Sequence, residues 1–176
     1  MNVSEALKCR KSIRSFTGEP ISDAELKTIL EAAQSSAVGM AAYGNLTLTV
    51  IRDKALIEKI DKNAQEKFNR DGAMLYGAPM LIVVATKLAG NPTDNVAYSN
   101  GATIVENMVL EAVELGVGAC HIWGAIMGLN QNPELMKKLE LPEGFTPVCA
   151  VVLGKTDEKY EQREIPTERI AVKTIN

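Results

Sequence analysis

The uninterrupted apolar run from Pro79 to Thr86 restricts the fold more than any other stretch of this chain. It contains no charged side chain and is partly β-branched, a pattern typical of a strand that is buried on both faces. The apolar residues from Ala78 to Ala85 are too few to cross a bilayer, which takes about 20 residues in a helix. Other elements of the chain must therefore cover this strand on both sides.

The segments around this strand show the spacing of amphipathic helices. Ser22 and Glu25 form a capping box, in which each side chain reaches the other residue's backbone N–H, and apolar residues follow at helical spacing. A second helix is predicted over 95–115, with an apolar face broad enough for a central position and for a subunit interface. Further helix N-caps are predicted at Ser4, Asp53 and Asn132.

Strands predicted at 46–51, 119–123 and 147–153 alternate with these helices, but the connections vary in length and show no doubly wound repeat. We therefore expect an α+β fold in layers around a mixed sheet. Neither a linker nor an internal repeat divides residues 1–176, so a single domain is predicted. Residues 155–176 are mostly polar with scattered hydrophobic residues, and we expect them to form a tail along another surface, such as a partner subunit.

The composition argues against several classes of function. A net charge of −3 and the lack of a basic stripe with interleaved aromatic residues disfavour binding to nucleic acid. The first residues, Met-Asn-Val-Ser-Glu, lack the features of a secretory signal. Three widely spaced cysteines and a single histidine indicate reduced thiols and no metal site. We therefore expect a cytoplasmic protein that does not enter a membrane.

The most concentrated chemistry lies in residues 9–16, Cys-Arg-Lys-Ser-Ile-Arg-Ser-Phe, where three cations and two hydroxyl groups stand close together in an acidic chain. Guanidinium and ammonium groups neutralise an anion and hydroxyl groups complete its hydrogen bonds, so this basic segment could hold a phosphate monoester. The alternative is that the cations only complement the dipole of a short preceding helix.

Other motifs carry less information about function. Gly116-Val-Gly118 opens like a dinucleotide-binding fingerprint but follows a helix and precedes a strand, the reverse of the required order. His121 is interpreted as a strand histidine with a local hydrogen bond and Cys9 as a packing residue, whereas Trp123 fits either a core or a position beside a cofactor. Because no set of side-chain acid, base and nucleophile is evident, the sequence suits an enzyme whose cofactor makes and breaks bonds, and equally a binding module.

The order of three segments resembles the nitroreductase family of FMN-dependent enzymes, and more narrowly a compact branch of it. These segments are Arg-Lys-Ser-Ile-Arg-Ser-Phe at 10–16, Ser-Ala-Val-Gly-Met at 36–40 with Tyr43, and Leu-Thr-Leu-Thr-Val-Ile at 46–51. The resemblance implies a layered α/β/α fold with a central mixed, mainly antiparallel sheet, and a homodimer with FMN at its interface. It also implies an oxidoreductase that passes hydride from NAD(P)H through flavin N5 to a nitroaromatic, a quinone or a similar small acceptor by a ping-pong mechanism.

The same resemblance assigns residues to the cofactor site. Arg10, Lys11 and Ser12 match positions that hold the FMN phosphate and ribityl chain, and Arg14 matches a cation near the pyrimidine end of the ring. The other matches are a loop from the partner chain, a segment whose backbone lines the ring near N5, an asparagine at the ring edge and a C-terminal basic residue at the phosphate. The loop from the partner chain is Ser36, Ala37, Val38 and Gly39, and the segment near N5 is Ile122, Trp123 and Gly124. The asparagine is Asn69. The C-terminal basic residue is Arg163, with Lys155 as the alternative.

The loop departs from the family's pattern. Ala37 and Val38 stand where a proline and a serine are usual, and residues 41–45 replace the usual Asn and Gln-Pro-Trp. This departure motivates a second hypothesis, a flavin-binding carrier or sensor with little reductase turnover. A third hypothesis is a related flavin enzyme with another substrate, such as a dehalogenase or a flavin-cleaving oxygenase.

Overall fold

The computed structural model describes residues 1–175, which contain six α-helices and four β-strands. The helices are α1 (Val3–Cys9), α2 (Asp23–Gln34), α3 (Lys54–Phe68), α4 (Asp94–Glu114), α5 (Gly124–Leu129) and α6 (Pro133–Lys138). The strands are β1 (Leu46–Ile51), β2 (Met80–Lys87), β3 (Gly118–Ile122) and β4 (Phe145–Gly154). Two short 3₁₀ turns, Gly39–Ala41 and Tyr43–Asn45, lie between α2 and β1.

The four strands form one sheet in the order β1-β2-β4-β3. The predicted α+β class is confirmed, but the expected mixed sheet needs a correction, because every pairing within residues 1–175 is antiparallel. The pairing of Ile51 with Leu81 puts the end of β1 beside the start of β2. The chain returns to that same end because α3 runs away from it and residues 69–79 lead back, so β2 enters antiparallel to β1.

Helices cover both faces of the sheet. Met80, Ile82 and Val84 of β2 pack in one hydrophobic cluster with α2 and α4. Leu81 and Val83 pack in a second cluster with α3, α5 and α6. Successive side chains of a strand point to opposite faces, so the unbroken apolar run supplies both cores at once. The resulting architecture is a three-layered α/β/α domain, and the prediction of a strand buried on both faces is confirmed.

Strand β4 contains a bulge that fits against α4. Its register against β2 shifts at Ala85, which pairs with Pro147 while Val84 pairs with Cys149. Proline lacks the N–H of a regular ladder, so an irregularity is the place where an inner strand tolerates it. Gly101 of α4 lies so near that a Cβ there would stand 2.8 Å from Val148 Cγ2. The long helix therefore sits close to the sheet, as its predicted central position requires.

Most predicted caps are confirmed. Ser22 and Glu25 form the capping box of α2, and the side chains of Asp53 and Asn132 cap α3 and α6. The prediction for α1 is wrong, because Asn2 caps this helix and forms its own capping box with Glu5. Helix α5 was not predicted. None of the helices in residues 1–175 combines the length and hydropathy required to cross a membrane.

Candidate cationic site at the sheet edge

The basic segment runs along the outer edge of β3. The Ile13 N–H donates to the Ala119 carbonyl at 2.9 Å, and the Ile13 side chain is fully buried. Side chains alternate along an extended segment, so the side chains of Ser12 and Arg14 lie on the opposite side of the segment from the buried Ile13. Polar groups of the basic segment are thus displayed at the edge of the sheet by a hydrophobic anchor between them.

Two arginines that are far apart in sequence meet at this edge. Arg163 Nη2 donates to the backbone carbonyl of Arg10 at 2.6 Å. Arg10 Nε lies 3.9 Å from Glu106 Oε1, and Glu106 Oε2 lies 2.9 Å from His121 Nε2. The structure therefore brings together two residues that were predicted to hold one phosphate. It also confirms that His121 makes a local hydrogen bond.

The first part of the tail folds back along its own chain. Lys11 Nζ lies 2.8 Å from Glu158 Oε2. The Tyr160 hydroxyl donates to the Val117 carbonyl at 2.8 Å, and burial raises the pKa of Tyr160 to about 12. Residues 164–175 are exposed on the single chain. Packing of the tail on a partner subunit stays a prediction, and it concerns the part beyond Arg163.

Lys155, the alternative phosphate ligand, points elsewhere. Its ammonium group donates to the Glu25 carboxylate, and this hydrogen bond holds the pKa of Glu25 below its ordinary value. This ion pair holds the Lys155 side chain at the start of α2. Of the two basic residues proposed by sequence, the structure places Arg163 beside Arg10.

Arg14 is held by a residue that sequence reasoning missed. Arg14 Nε donates to the Tyr76 hydroxyl at 3.3 Å, and its guanidinium carbon lies 5.6 Å from the centre of the Tyr76 ring. This hydrogen bond raises the pKa of Arg14 above its ordinary value. The two residues are 62 positions apart, so no spacing pattern in the sequence reveals the contact.

The cysteines near the site are packing residues in the single chain. Cys9 is 4% exposed, which confirms its predicted role on the inner face of α1. Cys120 of β3 is buried behind the basic segment. Burial raises the pKa of the Cys120 thiol, while the charge of Arg14 and a hydrogen bond with Ser12 act in the opposite direction.

The end of β3 and the end of α3 meet at the far side of this edge. Trp123 is 59% exposed and its ring centre lies 6.5 Å from that of Tyr98, so the core interpretation of Trp123 is wrong. A Cβ on Gly124 would stand 2.5 Å from Met74 Cε and 3.7 Å from the Phe68 ring. A side chain at this position would require the flexible end of Met74 to move. Because Asn69 directly follows Phe68, it ends α3 close to the segment 122–124.

The loop at 36–39 is fixed against α4. The buried Ser36 Oγ accepts from Asn107 Nδ2 at 2.8 Å, and the Gly39 N–H donates to Asn100 Oδ1 at 3.0 Å. The two asparagines are seven residues apart and so share one face of the helix. No hydrogen bond or ion pair within residues 1–175 joins this loop to the basic segment. Its predicted contribution from the partner chain stays a prediction.

A separate cavity of about 640 Å³ lies between α3 and the turn before α2, with Ile57, Leu75 and the Asp23–Arg52 pair in its wall. None of the predicted site residues lines it. The predicted site residues therefore lie outside this cavity.

Fold and site together define an α/β/α domain with a cluster of basic residues at the edge of its sheet. Residues 7–155 match the sequence model of the nitroreductase family. The chain therefore belongs to this family, and the resemblance inferred from the three segments is confirmed.

Individual relatives agree with this assignment. A putative NADH dehydrogenase/NAD(P)H nitroreductase of Methanothermobacter thermautotrophicus is 27% identical over 168 residues, covering 94% of this chain and 83% of the relative. A protein of the same description from Archaeoglobus fulgidus is 32% identical over 160 residues, covering 85% and 83%. Among solved structures, a nitroreductase with bound FMN from Desulfitobacterium hafniense superposes with a TM-score of 0.80 at 25% identity, covering 99% of this chain and all of that one.

Proposed function

We propose that the protein is an FMN-dependent oxidoreductase that transfers hydride from NAD(P)H to a nitroaromatic, a quinone or a similar small acceptor. The contact of the Arg163 guanidinium with the Arg10 backbone carbonyl carries this proposal, because it brings cations from both ends of the chain to one edge of the sheet, beside Lys11 and Ser12. Family membership and the FMN-bound structural relative support the choice of ligand.

The donor set fits the phosphate end of FMN. Two guanidinium groups, an ammonium group and a hydroxyl group supply charge-assisted hydrogen bonds to a phosphate monoester. Glu106 and Glu158 balance these cations at 3.9 and 2.8 Å from Arg10 and Lys11. We infer that Arg10, Lys11, Ser12 and Arg163 hold the phosphate and ribityl chain.

The ring end of the ligand requires a different set. Arg14 is directed to the pyrimidine end, where a fixed cation favours the additional negative charge of reduced flavin. Asn69 and the backbone of Ile122, Trp123 and Gly124 are assigned to the ring edge and the region of N5. The exposed indole of Trp123 suits a surface that packs against a ligand or a second subunit.

The site is proposed to lie in a homodimer. Large apolar side chains are exposed on the loop at 36–45 and on the neighbouring parts of α4 and α5, namely Met40, Tyr43, Val96, Tyr98, Trp123 and Met127. An exposed apolar surface of this kind marks a site where another molecule packs. We infer that the partner copy packs there and contributes Ser36, Ala37, Val38 and Gly39 to the cofactor site, while residues 164–175 pack on that copy.

The proposed chemistry needs no side-chain acid, base or nucleophile. When bound, FMN supplies hydride transfer at N5, and the protein's part is orientation and a fixed positive charge. If NAD(P)H and the acceptor use the same face of the bound ring, they bind in turn, which predicts ping-pong kinetics. The three free cysteines are consistent with work in the reducing cytoplasm.

The proposal is tested by purifying the protein, measuring its visible absorbance and adding FMN. An anaerobic titration with NADH or NADPH follows, with quinones and nitroaromatics as acceptors. Bound FMN that is bleached by NAD(P)H and reoxidised by an acceptor is the expected result. A colourless protein that takes up no FMN would refute the proposal, and bound FMN with negligible turnover would favour the carrier or sensor.

A further inference from the structure

The turn that carries Tyr76 is strained and firmly anchored. Tyr76 has φ 57 and Gly77 has φ 69, so both central residues of the turn are left-handed. The turn is closed by a hydrogen bond of 3.0 Å from the Ala78 N–H to the Leu75 carbonyl. The Leu75 N–H in turn donates to Asp61 Oδ1 at 2.6 Å, and the Leu75 side chain is 1% exposed. A bulky residue in this conformation persists only where its surroundings hold it there.

In this strained conformation the Tyr76 side chain makes two kinds of contact with Arg14. The Tyr76 hydroxyl accepts the Nε–H at 3.3 Å and the ring faces the guanidinium at 5.6 Å. A hydrogen bond and a cation–π contact restrain different parts of the arginine. Two residues earlier in the same segment, Met74 reaches the position of Gly124. This segment therefore touches both ends of the proposed ring site.

We propose that Tyr76 is a positioning residue that fixes the Arg14 guanidinium at the pyrimidine end of FMN and so favours the reduced over the oxidised cofactor. This inference rests on the proposed function. An exposed arginine has many rotamers, and ordering it costs conformational entropy. Tyr76 removes part of that cost in advance, so the positive charge is already in place when the ring gains electrons.

The test compares the FMN-loaded wild type with Tyr76→Phe and Tyr76→Leu. The first variant loses the hydroxyl and the second loses the ring as well. The measured quantities are the FMN dissociation constant and the two-electron midpoint potential. We expect Tyr76→Leu to reduce the preference for reduced FMN by about tenfold, which makes the potential about 30 mV more negative. Tyr76→Phe should show a smaller shift in the same direction.

A double-mutant cycle with Arg14→Gln separates positioning from a general structural effect. If Tyr76 acts through Arg14, Tyr76→Leu produces no further shift of the potential in the Arg14→Gln background. Arg52→Gln is the matched control, because Arg52 is also an exposed arginine but pairs with Asp23, away from the site. Its potential should equal that of the wild type.

Several outcomes would overturn the inference. An unchanged potential in both Tyr76 variants refutes it, and so does an equal shift with and without Arg14. Tyr76→Phe keeps the ring in the turn and decides the question by the same cycle should Tyr76→Leu fail to fold. A wild-type protein that takes up no FMN refutes the proposed function as well, whereas FMN uptake with unshifted variants refutes this inference alone.

Discussion

Replacement of Arg10 by alanine separates a phosphate ligand from a merely structural arginine. The Arg10 side chain is 28% exposed, and its one ion pair within residues 1–175, with Glu106, is long at 3.9 Å. Such a pair contributes less than about 1 kcal/mol to folding. The contact with Arg163 uses the Arg10 backbone carbonyl, which alanine retains. The substitution should therefore leave both the fold and the position of Arg163 nearly unchanged.

The effect on FMN should be much larger. Loss of a charged hydrogen bond to phosphate costs about 1.5–3 kcal/mol, so the dissociation constant should rise about 10- to 150-fold. Fluorescence titration of the apoprotein with FMN measures this, and urea unfolding of the same sample measures stability. Riboflavin, which lacks the phosphate, should bind the variant and the wild type equally.

Arg52→Ala is the control for a lost positive charge. Arg52 pairs with Asp23 at 2.6 Å and makes no ion pair or hydrogen bond to the basic segment within residues 1–175. Its FMN affinity should match the wild type. The phosphate assignment of Arg10 would be refuted by unchanged FMN affinity in Arg10→Ala, or by an equal loss of affinity for riboflavin.

Three further predictions concern the fold. Gly101→Ala forces a Cβ to 2.8 Å from a side chain of β4 and should lower the free energy of unfolding by about 1–3 kcal/mol in urea, whereas Gly44→Ala, with open space around it, should have little effect. Equal stabilities would contradict the close packing of α4. The hydrogen bond from Lys155 lowers the pKa of Glu25, so the stability it contributes is present above the ordinary value of 4.5 and is lost as the pH falls through the lowered value. Urea midpoints of Lys155→Met should accordingly fall less steeply below pH 4.5 than those of the wild type, and parallel curves would refute this. Burial raises the pKa of Cys149 to about 12, so its thiol should react with Ellman's reagent only after denaturation. A thiol that reacts rapidly in the native protein, and no longer does so in Cys149→Ala, would contradict this prediction.

Local patterns predicted most of the elements because they act over a few residues. The capping box of Ser22 and Glu25 and the cap at Asp53 fix helix starts by side-chain hydrogen bonds to nearby N–H groups. The same rule failed at Ser4, since Asn2 offers an equivalent side chain two residues earlier. Helix α5 escaped prediction because its sequence, Gly-Ala-Ile-Met-Gly-Leu, has no cap and too few residues for a clear period.

The candidate site was predictable only in part. The basic segment stands out because its cations are adjacent in sequence, and family resemblance added Arg163. The contact of Tyr76 with Arg14 and that of Met74 with Gly124 join segments about 50 or more residues apart, which no local pattern reports.

The amino-acid sequence by itself determined that one strand would be buried on both faces, that helices would cover it, and that a cluster of cations would need a function. Those results follow from hydrophobic period, capping and charge, which depend on neighbours along the chain. The tertiary structure alone decided that the strands of residues 1–175 pair antiparallel, that Arg163 rather than Lys155 contacts Arg10, and that a strained tyrosine holds Arg14. These depend on how distant segments pack, because burying two cores on one sheet sets which side chains come within reach of each other.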